Sequence, residues 1–327
     1  FSELIKSIKG MSKFPVVILY LIAYLLFNDG IQTVMGIAGA FAAETLGVPL
    51  VFNMATILII QFVAVPGTIA FNWLSSLTTT KSALILSLFG WSVIVLFGIS
   101  TVPLEPSKYS QFDYGLTFDN HSNKYELTQT PSLNDSSTDN SWEASIKPLM
   151  QDNYLTHAES QELLNKVENS DVSRFSIMFL RGPLDNYTSI SANHPSILDD
   201  KIINKWPSTV RMIVWEPLSL KAGYQWLILG ILVGTVMGGS QALARSLFAQ
   251  ITPLSRSGEF FSFFGLMSRA SSVVGPTMYI VFTSMFDQRI AILSLLLIII
   301  AGTILLKWVN VSEGTKAAVA ADFLTVQ

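Results

Sequence analysis

The residues best suited to do chemistry lie together inside an apolar segment, where positions 28–33 read Asn-Asp-Gly-Ile-Gln-Thr. On a helix, Gln32 lies three positions after Asp29 and four after Asn28, so these side chains are expected to share one face. A carboxylate in such a segment can carry a proton or bind a polar solute, and the candidates for that pathway here are Asn28, Asp29, Gln32 and Thr33. Hydrogen bonding between helices and a bend at Gly30 remain as alternative roles.

Arg269 is a second charged side chain well inside an apolar segment. A buried guanidinium needs a carboxylate or a ring of carbonyl groups, and Asp29 is the only acid within the apolar segments. We therefore expect Asp29 and Arg269 to lie near each other in at least one conformation. Gly275-Pro276, later in the same segment, predicts a kink that could act in gating, although proline kinks are common in membrane helices.

A further segment combines small residues with polar ones. Three glycines at four-residue spacing form what we call the glycine row: Gly230, Gly234 and Gly238. This spacing predicts close packing against another helix. Gln241, a further pathway candidate, and Arg245 follow on one helical face. A pair between Arg245 and Glu259 is predicted to close one end of the pathway, with a static surface ion pair as the equal alternative.

Six long apolar segments must position these side chains. They cover residues 14–41, 51–74, 82–102, 224–248, 260–286 and 290–309. Each reaches or exceeds the roughly 20 residues that cross a bilayer as a helix. Only 13% of the residues are charged, against about 25% in soluble domains, so an integral, multi-pass membrane protein is predicted. Inserting an ionisable group at the depth of Asp29 costs about 2.5–3.5 kcal/mol, which a functional role would explain.

Basic residues near the segment ends predict the orientation of the chain in the bilayer. Most fall on one side, and Arg289 falls on the other; the first group is Lys6, Lys9, Lys13, Lys81, Arg245, Arg256, Lys307 and Lys316. Because basic flanks stay cytoplasmic, both termini are predicted to be cytoplasmic and the long insert outer or lumenal. Three N-glycosylation patterns in the insert, at Asn120, Asn134 and Asn186, are equally well explained by chance.

The insert is predicted to form a small α+β domain. Residues 112–129 resemble a pair of strands, residues 156–167 have an N-cap and an apolar stripe, and residues 174–181 alternate like a strand. Residues 131–140 are rich in Ser, Asn and Asp, which predicts disorder. We recognise no nucleophile, metal or phosphate motif in the insert.

Composition excludes several kinds of site and partner. Cysteine is absent, which excludes disulfides, thiol catalysis and cysteine-ligated metals. The three histidines, His121, His157 and His194, all lie in the insert, so a histidine metal site within the membrane is excluded. A net charge of -3 without a basic face gives no sign of nucleic-acid binding. We predict no catalytic residue, no metal, no cofactor and no enzymatic activity.

Three separated motifs resemble one family of membrane proteins. They are LIAYLLFNDGIQTV at residues 21–34, GGSQALARSLFAQ at 238–250, and GEFFSFFGL at 258–266 followed by VGP at 274–276. Together they resemble the vacuole-effluxer-like family of the major facilitator superfamily, over all six segments in order. The resemblance implies an all-α membrane fold in which these are the last six of about twelve helices, with a related six-helix half missing here. The insert departs from the compact pattern of the family.

The resemblance also implies a division of the chain. Residues 1–13 would end a cytoplasmic linker, residues 14–103 and 222–309 would form three helices each, residues 104–221 the insert, and residues 310–327 a cytoplasmic tail. Since the chain begins with Phe rather than Met, we expect it to be part of a longer protein.

The resemblance implies a secondary transporter in which two six-helix bundles rock about a site near the midplane. Fungal members of the family export amino acids from the vacuole, so an amino acid or another small solute is the expected substrate, with protons as a candidate coupling ion. The implied location is the plasma membrane in a prokaryote and the vacuolar membrane in a fungus. Two alternatives remain: a membrane-anchored sensor whose insert binds a ligand, and a membrane enzyme with a convergent Asp, His or Ser set.

Overall fold

The computed structural model describes residues 13–131, 140–150, 152–198, 205–286 and 288–325. Residues 1–12 of the predicted linker end (1–13), the acceptor Asn134 and most of the polar tract at 131–140 lie outside these described residues. Contacts divide the chain into two compact units. The first holds the described residues of 1–39, 54–99 and 226–327, and the second holds those of 40–53 and 100–225.

Three long helices open the described chain: α1 (Pro15–Glu44), α2 (Leu50–Leu77) and α3 (Thr80–Ser100). They follow the first three apolar segments closely. The chain turns between α1 and α2 at Gly47, whose φ of 61° is readily adopted by glycine. The Thr79 hydroxyl accepts the Ser82 N–H at 3.1 Å and so caps the start of α3.

The insert contains a small sheet with short helices. Its main elements are β1 (Tyr114–Asp119), β2 (Lys124–Gln129), α4 (Asn140–Ile146), β3 (Tyr154–Leu155), α5 (His157–Asn169), β4 (Ser176–Leu180), β5 (Thr188–Ile190) and α6 (Lys205–Val210), which continues through a π-helical stretch (Arg211–Trp215) to Glu216–Leu218. Within the described residues the sheet has five strands in the order β3-β2-β1-β4-β5, with β1 antiparallel to β2 and parallel to β4. The predicted strand pair, helix and later strand are present. Elements as short as α4, β3 and β5 give no readable periodicity, so they were not predicted.

The sheet and α5 share an aromatic-rich core. Trp142 is fully buried there, and its Nε1 donates to the Tyr114 hydroxyl at 3.0 Å. Burial raises the pKa of Tyr114 to about 12. The predicted N-cap of α5 is confirmed, because Thr156 accepts the Glu159 N–H while the Glu159 carboxylate accepts the Thr156 N–H at 2.7 Å. The core and the cap together explain why this polar segment is ordered.

Five further helices follow the insert: α7 (Ala222–Gln250), α8 (Ser257–Ala270), α9 (Val274–Met285), α10 (Gln288–Trp308) and α11 (Val311–Thr325). Among the described residues, five helices are long and apolar enough to cross a membrane, namely α1, α2, α3, α7 and α10. The structure is mostly helical, as predicted. The five helices match five of the six predicted segments.

The fifth segment, residues 260–286, is not one continuous helix, so the prediction of a single kinked helix there was wrong. The chain forms α8, leaves the helical path at residues 271–273 and resumes as α9. Pro276 gives the reason: its ring lacks an N–H and would clash with the carbonyl of Ser272 in a continuous helix. In the first turn of α9 the same proline is tolerated. The predicted kink at Gly275-Pro276 is therefore a full interruption that begins a few residues earlier.

The glycine row packs α7 against α2, as its spacing predicts. The residues that the row meets on α2 are also four apart: Thr56, Ile60 and Ala64. A Cβ atom at Gly234 would lie 2.9 Å from the Ile60 carbonyl oxygen, and one at Gly238 would collide with the Ala64 carbonyl oxygen. The two backbones are therefore close enough that only glycine fits at the contact.

Helix α11 was not predicted. The carboxylate of Asp322 connects this helix to the loop that precedes α8. Asp322 accepts the N–H groups of Leu254 and Ser255, each at 2.9 Å, and the Ser255 hydroxyl at 2.6 Å. These bonds hold the pKa of Asp322 below its ordinary value. A lowered pKa stabilises the docked tail above the ordinary aspartate pKa, and this stability is lost as the pH falls through the lowered pKa.

We therefore expect Asp322→Asn, which mimics protonation at neutral pH, to loosen the docked tail. The amides of Leu254, Ser255 and α11 should exchange with deuterium faster in the variant, because an amide oxygen accepts these bonds more weakly than a carboxylate. Hydrogen–deuterium exchange on the full-length protein measures this. Glu313→Gln in the same helix serves as the control, and equal exchange in the two variants would contradict the tether.

Candidate functional site

Helix α1 buries most of its polar stretch. Asn28 and Asp29 are fully buried and Thr33 is 3% exposed. Gln32, in contrast, is exposed. Helix geometry still places Gln32 between Asn28 and Asp29 around the axis, about 40° from the first and 60° from the second. Asp29 and Thr33, four positions apart, are both buried within the first unit, whereas the Gln32 side chain reaches the surface from the same face.

The buried carboxylate of Asp29 meets the interruption between α8 and α9. Its Oδ2 atom accepts the backbone N–H of Gly275 at 2.6 Å. A Cβ atom at Gly275 would collide with the Thr33 hydroxyl, so only glycine lets α9 begin this close to α1. The N-terminus of α9 carries the positive end of a helix dipole, which stabilises a negative charge at this point. Asp29 therefore acts as a side-chain cap supplied by another helix.

Two oxygens at this contact have no hydrogen-bond partner among the described residues. They are Asp29 Oδ1 and Thr33 Oγ1, and both are buried. A buried polar atom without a partner costs about 1–3 kcal/mol, so a proton, a water molecule or a solute is needed to satisfy it. Two buried oxygens at the interruption can therefore still form hydrogen bonds, and one of them belongs to Asp29, the only acid within the apolar segments.

A chain of amide and hydroxyl groups extends from Asn28 on both sides. The Asn28 amide donates to the Ser271 hydroxyl at 2.5 Å, and Gln241 donates to the Asn28 oxygen at 3.2 Å. Ser271 in turn donates to the Ser268 carbonyl at 2.7 Å. The network joins α7, α1 and the interruption after α8, so the site candidates Asn28, Asp29, Thr33 and Gln241 lie together. Ser271 was not predicted, although the Ser-Ser pair just before Val273 could have indicated it.

Arg269 does not join this network. Its side chain is exposed near the end of α8, and the described residues show no ion pair between it and Asp29. This conformation therefore lacks an ion pair between the described residues Asp29 and Arg269, and their proximity in another conformation stays a prediction. The physical reason is that the N-terminus of α9 already supplies the positive partner of Asp29 through the Gly275 N–H.

Among the described residues, Arg245 and Glu259 form no ion pair in this conformation, so the predicted pair is not seen here. Glu259 bonds instead to Arg256, which donates to it through Nη2 at 2.7 Å and Nε at 2.9 Å. Arg256 lies three positions earlier in the chain and only one before α8, so its side chain reaches the carboxylate at less entropic cost. Arg245 is exposed on α7. Gly275 and Pro276, the other gating candidates, both lie in the first turn of α9.

Comparison with known families gives one match that covers most of the chain. The model of the family described as Vacuole effluxer Atg22 like matches residues 1–107 and 201–319. Its two parts flank most of the insert. The match also confirms the predicted resemblance and, with the five apolar helices, the predicted integral, multi-pass membrane protein.

Curated relatives come from fungi and bacteria. Autophagy-related protein 22 of Candida glabrata is 27% identical over 161 residues, covering 47% of this chain and 30% of the relative. The uncharacterized MFS-type transporter YxiO of Bacillus subtilis is 35% identical over 92 residues, covering 28% of this chain and 22% of the relative. Autophagy-related protein 22-1 of Aspergillus fumigatus is 30% identical over 104 residues, covering 32% of this chain and 17% of the relative. The chain therefore spans less than a third of the length of these relatives. No solved structure matches.

Proposed function

Because the chain belongs to the vacuole effluxer Atg22-like family, we propose that it is part of a secondary transporter of the major facilitator type, working by alternating access. In this proposal α8 and α9 together form one interrupted span, so that six spans form one bundle and a second six-helix bundle completes the protein. The insert lies outside or in the lumen, and both ends of the chain lie in the cytoplasm. The protein moves a solute and is not an enzyme.

One observation carries the proposal: a fully buried carboxylate caps the second half of an interrupted helix. Transporters commonly build their solute and ion sites at such interruptions, where unpaired backbone groups and half-helix dipoles are available. In a membrane, an interruption is tolerated only where it is buried in protein or lines a cavity. The pathway residues that we propose around it are Asn28, Asp29, Thr33, Gln241 and, in other conformations, Gln32 and Arg269.

The contact between Asp29 and Gly275 suggests how proton binding drives movement. An ionised Asp29 holds the start of α9 through a charge-assisted hydrogen bond, which is about twice as strong as a neutral one. Protonation removes the charge and weakens both this bond and the attraction to the helix dipole. The half-helix α9 then becomes free to tilt about the non-helical residues 271–273. Gly275 and Pro276, in the first turn of α9, move with this half-helix and act in gating.

The substrate that we propose is an amino acid or another small polar solute. Relatives bearing the name autophagy-related protein 22 belong to fungi, and a member from a bacterium carries the name of an MFS-type transporter. The buried amides and hydroxyls of the network offer neutral donors and acceptors that suit a polar solute. The membrane is the vacuolar one in a fungus and the plasma membrane in a prokaryote.

A cavity in the second unit favours one alternative function, ligand sensing. Its volume is about 290 Å3, and its lining includes Asp113, Arg174, His194 and Lys221. Asp113 lies 3.5 Å from His194 Nε2 and accepts the Ser176 hydroxyl at 2.7 Å. A cavity of this size with both charges present fits a small zwitterion. In this alternative, the insert binds the ligand and no solute crosses.

Uptake by proteoliposomes of the full-length protein separates the two functions. Labelled amino acids are offered with and without a pH gradient, and bound ligand is measured in parallel on detergent-solubilised protein. A transporter gives saturable uptake of at least one amino acid that the gradient raises above equilibrium. Binding without uptake above that of protein-free liposomes would overturn the proposal and support the sensor.

A further inference from the structure

A polar cavity with two lysines lies at one end of the spans of the first unit. Its volume is about 610 Å3, and its lining includes Ser75, Thr80, Lys81, Lys307, Trp308 and Asn310. No described residue that lines it is acidic. The cavity is therefore positively charged and rich in hydroxyl and amide groups. It lies apart from the pathway residues and has no part in the proposed transport mechanism.

The position of the two lysines fixes the depth of the cavity. Lys81 belongs to the first turn of α3 and Lys307 to the last turn of α10. The Lys81 ammonium donates to the carbonyls of Lys307 and Val309, both at 2.8 Å, so the two helix ends lie side by side. An ammonium has three donors, so one more remains for a ligand. By the distribution of basic residues this is the cytoplasmic end, at the level of the lipid headgroups.

An apolar surface runs from this cavity along α3 and α10. The two helices are antiparallel neighbours along their length, because Arg289 donates to the Ile99 carbonyl at the opposite end. This register puts Leu86 and Phe89 of α3 at about the heights of Ile304 and Ile300 of α10. All four side chains are at least 40% exposed. A charged cavity above exposed apolar side chains has the polarity of a phospholipid, with a headgroup above and acyl chains below.

We propose that this cavity binds the headgroup of an anionic phospholipid of the cytoplasmic leaflet, whose acyl chains lie on the α3–α10 surface. Charge complementarity selects the anionic lipid, since two cations and no described acid line the cavity. Basic pockets between membrane helices on the cytoplasmic side are suited to such headgroups. Trp308 is 67% exposed beside the cavity, at the depth where aromatic rings prefer the interface. The bound lipid ties the end of α10 to the loop between α2 and α3.

The test compares two phospholipids with the same acyl chains, phosphatidylglycerol and phosphatidylcholine, on the full-length protein in detergent. Native mass spectrometry counts the bound lipid, and thermal unfolding measures the stabilisation. We expect retained phosphatidylglycerol and a higher midpoint than with phosphatidylcholine. Lys307→Gln should weaken phosphatidylglycerol binding roughly fivefold, the loss expected for one lysine at a charged lipid surface.

Lys316→Gln is the matched control, because Lys316 is an exposed lysine on the same predicted side but does not line this cavity. Lys307 contributes its backbone carbonyl, not its side chain, to the contact with Lys81, so Lys307→Gln should fold normally. Equal binding of both lipids would overturn the proposal, as would equal losses in the two lysine variants. Inorganic phosphate is tested in the same thermal unfolding assay. If phosphate raises the midpoint as much as phosphatidylglycerol does, the cavity is an ion site rather than a lipid site, and the proposal is overturned.

Discussion

Asp29→Asn is expected to abolish accumulation of the solute against a pH gradient while leaving solute exchange largely intact. Asparagine keeps the size of the side chain and can still accept the Gly275 N–H, so the fold around α9 should persist. It cannot bind and release a proton. For one proton per solute, a gradient of one pH unit sustains about tenfold accumulation, and this should fall to about onefold in the variant. Proteoliposomes with labelled solute measure both activities.

Glu44→Gln is the matched control for this experiment, since it neutralises a carboxylate at the exposed end of the same helix. It should accumulate solute like the unchanged protein. Equal loss of accumulation and exchange in Asp29→Asn would point to a structural role for the carboxylate. Unchanged accumulation would remove the proton role altogether.

Gly238→Ala is expected to destabilise the first unit more than any other single methyl addition in the glycine row. The added Cβ would collide with the Ala64 carbonyl oxygen and the Thr68 hydroxyl, and the backbone of α2 cannot move away as a side chain can. Overpacking of this kind costs about 1–3 kcal/mol. The measurement is the thermal midpoint of the full-length protein in detergent, together with its yield from membranes.

Gly265→Ala in α8 provides the comparison, because a Cβ atom at that glycine would have no neighbour within 4 Å. The same alanine should there be neutral or mildly stabilising, as alanine favours helix over glycine by about 1 kcal/mol. Similar midpoints for the two variants would contradict the close approach of α7 to α2.

Much of the fold could be predicted because apolar length and small-residue spacing are local signals. The membrane helices α1, α2, α3, α7 and α10 follow from apolar runs alone. The contact of α7 with α2 follows from the glycine row. The interruption between α8 and α9 was underestimated as a kink, because the segment is apolar on both sides of residues 271–273. The break is complete for two reasons: Pro276 is accommodated only in the first turn of a helix, and Asp29 of the distant helix α1 caps that turn.

The site was predictable in its residue types but not in its partners. Asp29 attracts notice because burying a carboxylate in a membrane is costly. We expected a cationic side chain to pair with this carboxylate, and Arg269 was the candidate. The structure instead satisfies the charge with a backbone N–H group of Gly275 and the dipole of α9, which leave no sequence signature other than a glycine before a proline. Pairings such as Glu259 with Arg256 likewise depend on the turn before α8, which apolar periodicity does not reveal.

We propose that Asp29, at the interrupted span, couples solute movement to proton movement, and proton movement can be measured directly. Full-length protein is reconstituted into liposomes that hold a pH-sensitive dye, with no gradient imposed, and the transported solute is then added outside. We predict a change of internal pH that follows solute entry and is absent in Asp29→Asn. Solute entry by the unchanged protein without any change of internal pH would contradict the claim.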